Sequence, residues 1–407
     1  MTKNGHFYGV VRIGLTLLCV VIVVLLGLLA TRSRILESEG ASADSASLAQ
    51  SHGQDCGTWS SQVITTTEAT QASVAICALP EGGVAVALAD GGSQTTSGVY
   101  LLYSVSEEEW LAQVVDQDAV PAGRVSVASS TGKIAVCYHD ADSRELRLAS
   151  IEGRKIVLDA VDVGKGVGLH NSIAFSPDGN VAVFYLDWMK TELRFAECLE
   201  GRWVVTKIGQ TSYLGTTVTL CYDSAGRPWV SYVDSLNRMA YVGFRDRGAW
   251  DIEGIRLGEN PGPWCSLALA YSSEAWLALC LRPDYNAKKE EIGQVARLVV
   301  GSKADGDWRF DELATESDFP VLGVSAVGAP LLIYYDTAIS AVKYMVGLRG
   351  QSCSDVVAAV SSNAIGEGGL SYPPALAVGN AGTVYIAFVD SGTNQVKLIR
   401  RDTYVPE

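Results

Sequence analysis

A chain of 407 residues with a formal net charge of -14, from 31 Lys+Arg against 45 Asp+Glu, lacks the clustered cations that neutralise phosphates, which excludes nucleic acid as a partner. Its 48% hydrophobic and 19% charged content, with 41 Gly, places it among folded, strand-rich proteins and outside the disordered class.

In chain order, residues 1–12 form a short tail ahead of Ile13 to Ala30, a run of 18 residues without a charge. At about 1.5 Å of rise per residue such a run makes roughly 27 Å of helix, enough for the hydrocarbon core of a bilayer. The segment reads as a transmembrane helix or a long signal sequence. Arg32, Arg34, Glu37 and Glu39 stand between it and the first Ala-x-Ala, Ala41-Ser42-Ala43, which favours an uncleaved anchor. Lys3, Arg12 and the free amine on one side, against Glu37, Glu39 and Asp44 on the other, place the N-terminus in the cytoplasm. The bulk of the chain is then periplasmic or extracellular. Residues 31–58, rich in Ser, Ala, Gly and Gln, read as a flexible stalk.

From residue 59 to 402 one pattern recurs, with residues 403–407 left as a tail. Apolar alternation ends in Asp90, Asp140, Asp187, Asp234, Leu281, Asp336 and Asp390, at spacings of 50, 47, 47, 47, 55 and 54. Trp59, Trp110, Trp203, Trp250 and Trp308 run in phase with it, each opening a strand, and Lys155 and Cys353 stand near that place in the other copies. In the third copy an inner strand from Asn171 to Ser176 is followed by a Pro177-Asp178-Gly179-Asn180 turn. Three further strands follow, Val181 to Asp187, Glu192 to Cys198 and Trp203 to Ile208. A four-stranded unit of this length cannot bury both faces alone and stacks on its neighbours about an axis, the logic of a β-propeller blade. The sequence therefore predicts an all-β, seven-bladed β-propeller. The last copy ends after its third strand, and Trp59 to Thr65 is the N-terminal strand that completes it and closes the ring.

Residues 216–234 (TTVTLCYDSAGRPWVSYVD) and 266–276 resemble the bacterial seven-bladed propellers built from S-L-A-L-D-x-x-G-x-P-x-x-S-Y-Y-D repeats. The resemblance covers about residues 59–402 and specifies a scaffold. It implies an exported or surface-associated protein with a ligand- or protein-binding role.

The strand-end Asp residues are read first as turn-closing groups, and the phased Trp residues as packing between blades. Candidate site residues are those that break phase on the face where the second-to-third and fourth-to-first loops emerge. They are Asp187 with Trp188 and Lys190, His139 beside Asp140, His170, Tyr213, Trp264 in Pro261-Gly262-Pro263-Trp264, and Arg282 in the insertion of the fifth copy. Aromatics beside carboxylates and amides suit carbohydrate recognition, and a protein partner is the other option. There is no Gly-x-Ser-x-Gly elbow, Walker loop, His-Glu-x-x-His or sialidase-type Asp box, so no cofactor or metal is expected. The reading is a non-catalytic, membrane-anchored binding propeller. A glycoside hydrolase or lyase using carboxylates on the loop-rich face, and a purely structural propeller, are the alternatives. Cys265 and Cys280 fall on opposite arms of one hairpin, where a disulfide bridge is conceivable.

Overall fold

The computed structural model describes residues 58–69, 72–92, 97–106, 109–211, 217–272, 274–282, 284–285, 291–292, 296–304, 306–325, 327–347, 353–361 and 370–401. They form seven four-stranded antiparallel sheets and one two-stranded hairpin. The blades span Ser73–Asp116, Pro121–Val163, Val167–Gln210, Val218–Arg256, Asn260–Thr315 and Ser317–Ala359, and the seventh joins Ala375–Arg401 to Trp59–Thr66. Within the first six blades the strands follow chain order from the inner strand outward, and in the seventh the N-terminal strand is outermost. Inner strands of consecutive blades touch around the ring, and the seventh touches the first. The segment from Ile13 to Ala30 lies outside the described residues. Among the described residues no helix is long and apolar enough to cross a membrane.

Alternation sets the packing, because successive strand residues face opposite sides of a blade and each side meets a different neighbour. Seven hydrophobic clusters result, one in each space between blades. Tyr138, Tyr185 and Tyr344, among the largest fully buried side chains, stand in three of them. The phased Trp59, Trp110, Trp203, Trp250 and Trp308 each lie at or beside the start of an outer strand and pack partly buried against these clusters.

The strand-end aspartates close the turns they were expected to close. Asp140 accepts from the Val120 and Asp142 amides (3.0 and 3.3 Å) and from the Ser143 hydroxyl (2.7 Å). Asp90 accepts from the Glu68, Ala69 and Gly92 amides, so one carboxylate ties the loop entering the blade to the turn between second and third strands. The same turn geometry recurs: the residue four positions after the Asp has positive φ at Arg144, Thr191, Arg238, Ser340 and Asn394. Where Leu281 replaces Asp this closure is lost. There the chain continues into the short hairpin of Asp284–Tyr285 and Glu291–Ile292 before the third strand begins at Arg297.

Between blades one and two, Tyr138 donates to Asp116 (2.6 Å) while Arg147 reaches Asp116 (3.0 Å) and Asp140 (3.2 Å). Between blades two and three the arrangement repeats. Tyr185 donates to Asp162 (2.7 Å), and Arg194 reaches Asp162 (2.7 Å) and Asp187 (2.8 Å). Each guanidinium thereby ties the outer strand of one blade to the second strand of the next. The thiols of Cys265 and Cys280 are free, which corrects the bridge considered from sequence. Cys265 pairs across the ladder with Leu279, so Cys280, one residue on, points to the opposite face of the sheet.

The N-terminal strand closes the ring as expected, pairing Trp59 with Arg401 at one end and Thr66 with Gln395 at the other. Trp59 also reaches blade six: its Nε1 donates to Asp355 (3.0 Å) and its ring meets Tyr344 edge-on at 5.0 Å. Deleting residues 59–66 from the full-length chain leaves the third strand of blade seven as an unpaired edge, and aggregation in size-exclusion chromatography is the expected result. An unchanged monodisperse profile would show that closure is dispensable.

Candidate functional site at the mouth of the central channel

The inner strands enclose a cavity of about 280 Å³, to which all seven blades contribute. In blades two, three, five and six the inner strand is irregular near its start, with register shifts at Ala122/Ser126, Val167/Asn171, Pro261/Cys265 and Asp318/Val321. Past the irregularity the register is common to the blades. Ser126 pairs with Cys137, Ser172 with Phe184, Thr219 with Ser231, and Ser266 with Ala278. Ahead of that register Arg124, His170 and Trp264 lie within the irregular stretches and Thr217 stands just before the inner strand of blade four; Arg124, Thr217 and Trp264 line the cavity. Gly123 lets the irregular stretch of blade two approach blade three closely. Its φ of +77° suits glycine alone, and a Cβ there would lie 2.2 Å from the Leu169 carbonyl oxygen of blade three.

Arg124 faces the cavity. Burial pushes its guanidinium down to about 10, and the groups acting against that shift are Tyr372 of blade seven and Cys265 of blade five. Among the described residues lining the cavity there is no carboxylate. His170 is pushed down to about 4 by burial first and then by the Arg124 charge, and its Nδ1 is buried without a hydrogen-bond partner. Trp264 lines the same cavity, with its ring 4.8 Å from Phe319 of blade six. Deeper in, hydroxyls join neighbouring inner strands: Ser172 accepts from the Leu220 amide (3.0 Å), Ser266 from the Leu322 amide (2.9 Å), and Thr217 from the Cys265 amide (2.8 Å).

The residues singled out from sequence fall into three groups. Trp264 lines the channel and His170 stands next to the lining residue Asn171; both belong to inner strands, Asn260–Leu269 and Val167–Phe175, and not to the expected loops. Trp188 stays on the loop face, 37% exposed, where its amide donates to the Gly166 carbonyl (3.1 Å); it does not line the cavity. The others have structural partners. Asp187 is buried and bound by Arg194, and Asp140 by the amides already described. Burial works to raise the Asp140 carboxyl, and the hydrogen bonds from Ser143, Val120 and Asp142 together with Arg147 outweigh it, so it stays below the ordinary range. His139 is buried between blades, with its pKa lowered by burial. Arg282 pairs with Asp318 of blade six, whose carboxyl is raised by burial despite that partner. Tyr213 lies outside the described residues. Arg124 is the residue that sequence reasoning missed. Its signal was the Gly immediately before an Arg at the head of an inner strand.

The sequence matches no protein-family model and no curated protein. Solved structures do match. Hydrazine synthase of Kuenenia stuttgartiensis aligns at 15% identity over 83% of this chain and 97% of its own, with a TM-score of 0.58. The fungal lectin of Aleuria aurantia, described as a six-bladed β-propeller with a novel fucose recognition mode, aligns at 13% identity over 74% of this chain and 99% of its own, with a TM-score of 0.48. The lectin SapL1, solved with alpha methyl fucoside, aligns at 16% identity over 71% of this chain and 98% of its own, with a TM-score of 0.47. The first of these likenesses, together with the sheet topology, defines the class of protein: a seven-bladed β-propeller.

The depressed pKa of His170 has a consequence for stability. The unfolded chain binds a proton at this residue near pH 6.5, whereas the folded chain does so only near 4, so folding free energy is lost as pH falls through that window. His139, lowered in the same direction, adds to the slope. Urea titrations between pH 7 and 4 should show this loss, and His170→Asn should flatten it. A His170→Asn profile parallel to that of the parent protein would contradict the assignment.

Proposed function

We propose that the protein is a membrane-anchored, extracytoplasmic binding propeller that holds a small polar ligand of carbohydrate type at the mouth of its central channel, without catalysis. The observation that carries this reading is the composition of the channel wall. Trp264 offers an apolar ring face, and Ser172, Thr219 and Ser266 bring hydroxyls from three consecutive blades, those of Ser172 and Ser266 accepting an inter-strand amide and keeping a proton to donate; the Asn171 amide is taken up by Ser126, Arg124 and Gly168. Ring stacking combined with a few fixed polar groups is the general make-up of small-molecule sites. Hydrolysis of a glycosidic bond needs two carboxylates roughly 5 to 10 Å apart across a cleft. The repeated aspartates that would be the natural candidates are instead held by turn amides and cations, as at Asp90, Asp140 and Asp187.

Cysteine chemistry supports the extracytoplasmic placement. Cys353 is disulfide-bonded, while Cys77, Cys137, Cys198, Cys221, Cys265 and Cys280 are free. A structural disulfide persists in oxidising compartments. The charge-free run from Ile13 to Ala30 supplies the anchor in this reading.

Two experiments test the proposal. On a glycan array probed with the full-length chain, Trp264→Ala should lose on the order of 1 to 3 kcal/mol of binding, the scale of an interface anchor, and Trp188→Ala should bind as the parent does. The opposite pattern moves the site from the channel to the rim. After an alkaline carbonate wash the protein should stay with the membrane fraction and retain its unprocessed N-terminus. Recovery of mature chains beginning near Asp44 would replace the anchor with a cleaved signal.

A further inference from the structure

Arg124 poses a problem of charge. Bringing a guanidinium into a protein-walled space is costly unless a carboxylate or a set of acceptors compensates it. Four other guanidiniums follow that rule, Arg147, Arg194, Arg245 and Arg282, each with a carboxylate partner, while Arg401 bonds the Tyr344 hydroxyl and lies over the Trp59 and Tyr344 rings. Arg124 stands apart from them. Among the described residues that line the cavity with it none is a carboxylate, and the described groups that act on it are a phenol, Tyr372, and a thiol, Cys265, both ordinarily neutral at pH 7, together with the neutral imidazole of His170. They come from blades seven, five and three, so the cation of blade two is in electrostatic reach of groups on three other blades.

The surroundings match an oxyanion in kind. Burial raises the Tyr372 hydroxyl above its ordinary range, which keeps it protonated and able to donate. A guanidinium presents a planar fork of donors that fits a carboxylate or phosphate edge.

We propose that the channel mouth is an anion-binding subsite in which the Arg124 guanidinium, on the cavity wall with Trp264, takes the oxyanion of the ligand, the carboxylate of an acidic sugar or a phosphate. This rests on the reading of the channel mouth as the binding site and adds the charge of the ligand to it. It also explains why a cation is kept where stability alone would discard one.

The test is calorimetric titration of the full-length chain in detergent with sodium glucuronate, inorganic phosphate and neutral glucose. Glucuronate or phosphate should bind, and which of them does so names the source of the oxyanion. Arg124→Gln should weaken that binding by about tenfold or more, the scale of one charge-assisted hydrogen bond. Arg124→Lys should keep part of it, and Arg154→Gln, on an exposed turn, should leave it unchanged. In the absence of anion, Arg124→Gln should melt at a higher temperature than the parent, since an uncompensated charge has been removed. Failure of both anions to bind the parent protein, or equal binding by Arg124→Gln, overturns the subsite. A lower melting temperature for Arg124→Gln also overturns it, by giving the residue a structural role. Glucose binding that depends on Trp264 but not on Arg124 overturns the subsite and leaves the channel mouth as a neutral-sugar site.

Discussion

A blade has two apolar faces and can cover neither by itself, so everything in this molecule depends on how one blade holds the next. The interaction that fixes the arrangement between the early blades is the carboxylate–guanidinium–phenol contact. Arg194 bonds Asp162 of the preceding blade and Asp187 of its own, while Tyr185 donates to the same Asp162. Apolar burial supplies the bulk of the stabilisation but is indifferent to small slides between sheets. The clamp is not, because its hydrogen bonds are directional. Removing one partner of a contact as well covered as this costs roughly 3 kcal/mol, since the carboxylates left behind stay desolvated.

The ring geometry that these contacts impose is what creates the site. Seven inner strands brought to a common register place residues that are about fifty positions apart in sequence at one level of a channel. Chemistry at that level is assembled from different blades, each giving a single side chain. No local motif is needed, and none is present: Arg124, Thr217 and Trp264 share nothing but their place on the channel wall.

That is also why the fold was readable from sequence and the site only partly so. Strand-end Asp recurs in six blades and outer-strand Trp in five for a physical reason, turn closure or packing, and a repeated requirement leaves a repeated letter. Even the closing strand announced itself, because the last copy lacked a fourth strand that Trp59–Thr66 provides. Residues of the channel mouth are shared between blades and leave no such trace. Searching for letters out of phase found Trp264 and His170, but it also found His139, which fills the space between two blades, and Trp188, which sits on the rim. Arg124 escaped because its level is set by irregularities at the strand starts, and the one between Ala122 and Ser126 shifts the register by an amount that alternation of apolar residues does not reveal. The partnership of Arg282 with Asp318 was equally hidden, since it joins the end of the second strand in one blade to the inner strand of another.

The pairing of Trp59–Thr66 with Gln395–Arg401 has a kinetic side. The first strand of the propeller to leave the ribosome is the one whose partner is made last. Blades one to six are each formed from contiguous chain and can stack in order of synthesis, whereas the seventh must wait for a contact that spans nearly the whole propeller. Contacts of such separation form slowly, because the entropy of closing the loop is lost before any bond rewards it. Folding of this chain is therefore expected to end in a single late annealing step, during which blade seven offers an open edge and the nascent protein is most exposed to capture by other chains or by proteases.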